Sequence, residues 1–272
     1  MNADLHCHTN QSDGALSPAE VVNLASARQV DILSITDHDT VRAYQRITEI
    51  PANLRLITGI EFSCQWSKQG IHIVGLDFDI NNNDLVSAIE RQTQLRQVRA
   101  EKIGHRLARA GFKNCLEAVQ ALTENQIGRP HFAQHLINIG AVKSFSEASK
   151  KYLGPGKIGD IKEQWPGIEN VISIIAQAGG IPVLAHPAKY KLTRSKLNSL
   201  LDNFSQSGGK AMEVVSGYQS REVSENLAQL SHKYGLQASC GSDFHAPGKS
   251  WANLGKIPSL PDNCNPVWAR WT

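Results

Sequence analysis

Near the N-terminus His6 and His8 bracket Cys7, and the same few residues continue into Asp13 within Ser12-Asp13-Gly14. On a strand, an i, i+2 spacing aims both imidazoles to one face and Cys7 to the other. Three further runs carry the same residue types. His38 lies inside Asp37-His38-Asp39. Glu61 closes Gly59-Ile60-Glu61, with His72 on the apolar run that follows. Asp243 and His245 belong to Gly241-Ser242-Asp243-Phe244-His245. Imidazole with carboxylate suits Zn²⁺, Mn²⁺ or Fe²⁺ better than Ca²⁺. One His-x-His pair would mean little, because strand histidines are often only hydrogen-bonded. Four sets at successive strand ends form a metal pattern, and α/β folds place their chemistry at the C-terminal ends of strands.

Other chemistries fit less well. Gly-Ser-Asp is not a nucleophile elbow, so a serine triad has no support. His131 and His135 have the i, i+4 spacing of zinc proteases, but such sites need Glu after the first His and position 132 is Phe. His135 is therefore read as a helix-face residue. Arg129, two residues before His131, carries a guanidinium fork suited to a phosphate. Lys157 and Lys189 are further candidate cations, and Trp165 is a candidate for stacking a base as much as for packing. Asp37 and Asp39 flank His38, and either can orient it.

The elements that must hold these residues alternate in type. Asp4–His8 reads as a strand, and Ser17-Pro18-Ala19-Glu20 opens a helix with a capping box and Pro at its first position. Ile32–Thr36 reads as a second strand, a helix is expected from about Thr40, and Arg55–Cys64 and Ile71–Phe78 follow as strands. The last third continues with strands Ile181–Ala185, Ala211–Ser216 and Gln237–Cys240, and a helix over Ser220–Tyr234. Such alternation points to a parallel α/β sheet or barrel. Between Asp84 and Trp165 the apolar positions keep helical spacing, as in Leu85, Ile89, Leu95, Val98, Ile103 and Leu107. This implies barrel segments 1–84 and 166–272 interrupted by an all-helical insert, 85–165.

At 272 residues, 41% hydrophobic and 19% charged, the chain is long enough for a large core and too apolar for extended disorder. Its net charge of +3 conceals a division. Residues 85–165 hold thirteen Lys or Arg against seven Asp or Glu, net +6, and the remainder is −3. A basic cap of this kind attracts an anionic substrate, although charge runs are as often a solvated helix face. No apolar run approaches a membrane span. The chemistry-bearing motif begins too early for a signal peptide, and the five cysteines show no pairing pattern. The expectation is a cytoplasmic protein with no membrane association and no obligate protein partner.

Leu5-His6-Cys7-His8-Thr9, Ser12-Asp13-Gly14, Ile35-Thr36-Asp37-His38-Asp39, Gly59-Ile60-Glu61 and Gly241-Ser242-Asp243-Phe244-His245 together resemble the PHP (polymerase and histidinol phosphatase) superfamily. His72-Ile73-Val74-Gly75-Leu76, Lys150-Lys151-Tyr152-Leu153, Gln164-Trp165 and Leu184-Ala185-His186-Pro187 are similar to its RNase AM branch, also described as 3′,5′-nucleoside bisphosphate phosphatases. The resemblance implies a distorted (β/α)₇ barrel with the helical insert as a cap, and a site for three divalent ions, Mn²⁺ preferred over Zn²⁺, Fe²⁺ or Mg²⁺. It places His6, His8, Glu61 and Asp243 on one ion. Glu61 would bridge to a second ion held by His72 and His131, and Asp13, His38 and His245 would hold the third. His186 becomes a phosphate contact beside Arg129. Close divalent ions activate water and clamp phosphoryl oxygens. The implied substrates are nucleoside 3′,5′-bisphosphates, losing the 3′-phosphate, and short RNA degraded from its 5′ end. Histidinol phosphate or another small phosphoester is the alternative substrate, and a non-catalytic metal-binding module is the alternative of another class.

Overall fold

The computed structural model describes residues 1–123, 125–162 and 165–271. Gln164 of the Gln164-Trp165 motif lies outside the described residues. The chain divides into two compact units, Met1–Ile89 with Trp165–Thr272, and Glu90–Gln164.

In the first unit, β1 (Ala3–Cys7), β2 (Ile32–Ile35) and β3 (Arg55–Ile57) form a parallel sheet. β4 (Gly59–Trp66) and β5 (Gln69–Leu76) form an antiparallel hairpin. It continues through β6 (Ile181–Leu184), β7 (Ala211–Ser216) and β8 (Gln237–Gly241) into a five-stranded sheet, parallel from β6 onward. β1, β2, β6 and β7 are buried along their whole length, as their apolar runs require of strands covered on both faces. Helices α1 (Pro18–Ala27), α6 (Ile168–Gln177), α7 (Arg194–Gln206) and α8 (Arg221–Lys233) belong to this unit. In α1 the Ser17 and Glu20 capping box is complete and Pro18 stands at the start.

Among the described residues the strands form an α/β arrangement of two sheets, of three and five strands, that do not close into one ring. Single bridges, Cys7 to Phe244 and His38 to Glu61, connect the sheet margins. The separation arises where one strand was expected over Arg55–Cys64. The chain leaves the first sheet at Thr58, whose carbonyl accepts from Asp77 N at 2.8 Å and whose hydroxyl donates to the Phe78 carbonyl at 2.8 Å. Gly59 then passes so close to β2 that a Cβ would lie 2.1 Å from Ser34 Oγ. The helix expected from about Thr40 is only a 3₁₀ turn, Arg42–Gln45. The Tyr44 hydroxyl is pinned between the carbonyls of Ile35 and Ile57, at 2.8 and 2.9 Å, which ties the segment to the sheet.

The second unit is helical. After the long α2 (Asn83–Arg109) come α3 (Cys115–Leu122), α4 (Arg129–Asn138), α5 (Phe145–Ala148) and a π-turn over Ser149–Leu153. Leu107, Val119, Phe132 and Leu136 are fully buried in a core of its own. Among the described residues no helix is long and apolar enough to cross a membrane.

Candidate metal centre

Strand ends of the first unit bring the histidines and carboxylates together. His6 lies at the end of β1 and His8 just past it, His38 follows β2, His186 follows β6, and Asp243 and His245 follow β8. Glu61 and His72 come from the hairpin. Ser63 pairs with His72 across β4 and β5, so His72 shares the face of Glu61 two residues away. Four overlapping groups result: His8, Asp13, His38 and His245; His6, Glu61 and His186; His6, His8 and Asp243; and His38, Glu61 and His72. Within each, one ligand atom per residue lies within 4.8 Å of the others.

Glycine makes this convergence possible at two points. A Cβ on Gly241 would stand 2.2 Å from the Cβ of His6, so only glycine lets β8 run against β1 and deliver Asp243 to His6. A Cβ on Gly14 would stand 2.5 Å from the His8 carbonyl oxygen, where the Asp13 loop folds back. Asp243 and His186 themselves have positive φ, 52° and 29°. Asp tolerates that region more readily than His does, and such strain is held by the surrounding structure.

The electrostatics suit cations. Burial alone would raise the carboxyl groups, but neighbouring imidazoles hold Asp13 (His245, His38), Glu61 (His72, His38, His6) and Asp243 (His8, His6) well below the usual range. Burial opposes a charge on His6, yet Glu213 and Glu61 hold it well above the usual imidazole value. Burial and the nearby His245 push His8 down to about 3. Its 3.3 Å contacts with Glu61 and Asp243 are therefore those of a neutral ring rather than salt bridges. Against the cost of burial, Asp13 lifts His245 to about 9.

His8 Nδ1 and His186 Nδ1 are buried with no hydrogen-bond partner among the described residues. Uncompensated buried polar atoms are costly and call for a ligand. Three ionised carboxylates among six imidazoles, with unsatisfied donor atoms aimed inward, fit divalent cations of the Mn²⁺ and Zn²⁺ type.

A second layer orients these donors. Glu213, buried on β7, accepts from His6 Nδ1 at 2.5 Å and from the backbone N–H of His186 at 2.6 Å. A proton held on Nδ1 leaves His6 Nε2 facing the cluster, 3.4 Å from Glu61 Oε2 and 3.6 Å from Asp243 Oδ1. Asp4 accepts from Ser242 N and Gly255 N, both at 2.8 Å, and so fixes the start of the Asp243 loop. Asp37 accepts from Thr9 N, Thr9 Oγ1 and Ser12 Oγ at 2.6–2.7 Å, ordering the loop that carries Asp13. Asp39 accepts from Ser63 N at 2.7 Å, joining the His38 turn to β4.

His186, read from the sequence as a phosphate contact, lies among the donors with Nε2 2.9 Å from Glu61 Oε1. Lys189 is ion-paired with Asp243. In the second unit His131 is on α4, where its Nδ1 accepts from Gly128 N at 3.0 Å. That bond engages the Nδ1 lone pair and ties the ring to the start of its own helix. Arg129 opens the same helix. Burial lowers its guanidinium, although Asp160 opposes the shift, and it reaches the Leu153 carbonyl at 3.5 Å. Lys157 is exposed and Trp165 half-buried. Sequence reasoning missed Glu213 and Asp4. For Glu213 the available signal was a single acid inside the strand Ala211–Ser216, since a buried polar group requires partners.

The profile of the PHP domain family matches residues 4–216. A 5′-3′ exoribonuclease of Haemophilus influenzae is 40% identical over 271 residues, covering 98% of this chain and 98% of that protein. A 3′,5′-nucleoside bisphosphate phosphatase of Chromobacterium violaceum is 37% identical, covering 98% and 95%. The crystal structure of a Bifidobacterium adolescentis protein described as a metal-dependent phosphoesterase superposes with a TM-score of 0.83 at 26% identity, covering 96% and 93%.

Proposed function

Because the chain belongs to the PHP domain family, we propose that it is a metal-dependent phosphoesterase that removes the 3′-phosphate of nucleoside 3′,5′-bisphosphates and shortens RNA from its 5′ end. The observation that carries this reading is the cluster of nine imidazole and carboxylate donors in the first unit. We assign it three divalent ions, Mn²⁺ first, and read the two sheets as the walls of a distorted barrel. The relatives named as exoribonuclease and as bisphosphate phosphatase support the substrate class, and the five free thiols suit a reducing cytoplasm.

The chain's own residues prepare the site. Asp13, Glu61 and Asp243, held ionised by their imidazole neighbours, would supply the anionic donors, and His6, His8, His38, His72, His186 and His245 would supply imidazole nitrogens, His6 and His245 giving up a proton to a bound cation. Divalent ions bound there supply Lewis-acid polarisation of a phosphoryl oxygen and a more acidic water. Glu213 keeps the His6 proton on Nδ1, so that Nε2 remains a ligand. Lys189, now against Asp243, is positioned to turn its ammonium to an anionic oxygen. The net +6 of residues 85–165 attracts a polyanion from solution.

Hydrolysis of adenosine 3′,5′-bisphosphate with Mn²⁺ tests the reading. Release of the 3′-phosphate well above the rate on histidinol phosphate is expected, and turnover no better than on histidinol phosphate overturns it.

A further inference from the structure

Two large aromatics stand in solvent on the first unit, Tyr218 at 74% exposure and Trp251 at 62%. Tyr and Trp normally cover much of their ring surface, and here both rings are left bare on segments whose backbones meet. The Tyr218 backbone N–H donates to the Trp251 carbonyl at 2.7 Å, so the two residues are tied together. Their location is also tied to the metal centre. Gly217 donates to the Gly241 carbonyl at 2.8 Å, one residue before Ser242-Asp243, and Tyr218 follows directly. A Cβ on Gly217 would lie 2.4 Å from the Trp251 carbonyl oxygen, so the close approach is built into the backbone. Tyr218 leaves the C-terminal end of β7, the strand that carries Glu213, and Trp251 lies in the segment after β8 that carries Asp243 and His245.

Tyr218 also walls an open groove of about 770 Å³ that runs on between the start of α8 and residues 258–263. Arg221 at its edge is already bound to Glu225 at 2.7 Å, and Glu225 and Asp262 both line it. Carboxylates there make a poor track for phosphates. What the surface offers is flat ring area beside the phosphate-cleaving end of the strands, and any base can stack on such area whatever its identity.

Resting on the phosphoesterase reading above, we infer that Tyr218 and Trp251 form a stacking platform for unpaired nucleobases of the RNA substrate, next to the metal centre. They are binding residues and take no part in the chemistry. Discrimination among bases is weak, because the rings meet the base face rather than its hydrogen-bonding edge.

The test compares wild type with Tyr218→Ala, Trp251→Ala, Tyr218→Phe and Trp251→Phe. The substrates are a 5′-phosphorylated oligoadenylate and 1-deoxyribose 3,5-bisphosphate, which carries two phosphates and no base. Each alanine variant is expected to raise KM on the oligoadenylate roughly tenfold with kcat unchanged. The phenylalanine variants are expected to stay near wild type, and the base-free substrate to be unaffected. An unchanged KM on the oligoadenylate, or an equal loss on the base-free substrate, overturns the platform. A second readout needs no turnover: a phosphorothioate oligoadenylate should quench wild-type tryptophan emission, and Trp251→Phe should lose that quenching. If wild type cleaves no nucleotide but the Trp251-dependent quenching is present, the phosphoesterase reading fails and the platform stands. If cleavage is normal and quenching is the same in Trp251→Phe, the platform fails alone.

Discussion

Replacing Glu213 by Gln changes one atom and removes one charge, yet it should weaken cation binding at a nitrogen on the far side of His6. The carboxylate of Glu213 accepts two protons, from His6 Nδ1 at 2.5 Å and from His186 N at 2.6 Å. An amide can accept only one of them and must present its NH₂ to the other partner. The backbone N–H of His186 has no alternative form, and a buried donor facing another donor costs about 1–3 kcal/mol. His6 does have an alternative. It can surrender the Nδ1 proton, accept from the amide, and carry its proton on Nε2, the nitrogen aimed at Glu61 and Asp243. A protonated Nε2 cannot ligate. Loss of such an orienting partner typically weakens metal binding by roughly 10–100-fold, equivalent to about 1.4–2.7 kcal/mol. Calorimetric titration of the metal-stripped protein with Mn²⁺ reads the affinity directly. Melting with Mn²⁺ or with EDTA separates it from stability. The variant should melt within a few degrees of wild type in EDTA, gain less from Mn²⁺, and recover most of its kcat at high Mn²⁺. Wild-type Mn²⁺ affinity in Glu213→Gln would refute the tautomer argument.

Two further perturbations address the scaffold. Gly241→Ala would place a Cβ 2.2 Å from His6 Cβ and 2.7 Å from His6 N, so β1 and β8 must part; a loss of about 3 kcal/mol and of activity is expected, and a wild-type melting temperature would show that the contact is not obligatory. Ser17→Ala removes the α1 cap and should cost about 1 kcal/mol by denaturant unfolding without altering activity. Hydrogen bonds from the Ser17 hydroxyl and backbone lower the pKa of Glu20. Its contribution is therefore complete above the free Glu value and disappears as pH falls through the lower folded one. The difference between Ser17→Ala and wild type should accordingly narrow in acid, and a difference constant to low pH would contradict the capping-box assignment.

Much of the site could be read along the chain, because its donors are grouped locally. His6, His8 and Asp13 lie within eight residues of one another, as do Asp243 and His245, and each set lies at the end of a short run that reads as a strand. Strands β2, β7 and β8 start where their apolar runs start. The helix expected after Thr40 does not form, because local spacing says nothing of the carbonyls that hold the Tyr44 hydroxyl. The strand expected over Arg55–Cys64 divides at Thr58 for the same kind of reason. Its partners, Asp77 and Phe78, are some twenty residues away and come within reach only after the β4–β5 hairpin closes.

From its sequence alone this protein is recognisable as an α/β chain of the PHP type with imidazole and carboxylate donors at successive strand ends, since residue type, spacing and apolar period are local properties. Which nitrogen of His6 stays bare, that His186 joins Glu61 while His131 caps its own helix, and that Tyr218 meets Trp251 beside Asp243 were decided by tertiary structure. Each depends on a partner distant in the chain: Glu213 is 207 residues from His6, and His186 is 125 from Glu61. A proton's position and a ring's exposure are set by what the fold packs against them, and no local pattern records that.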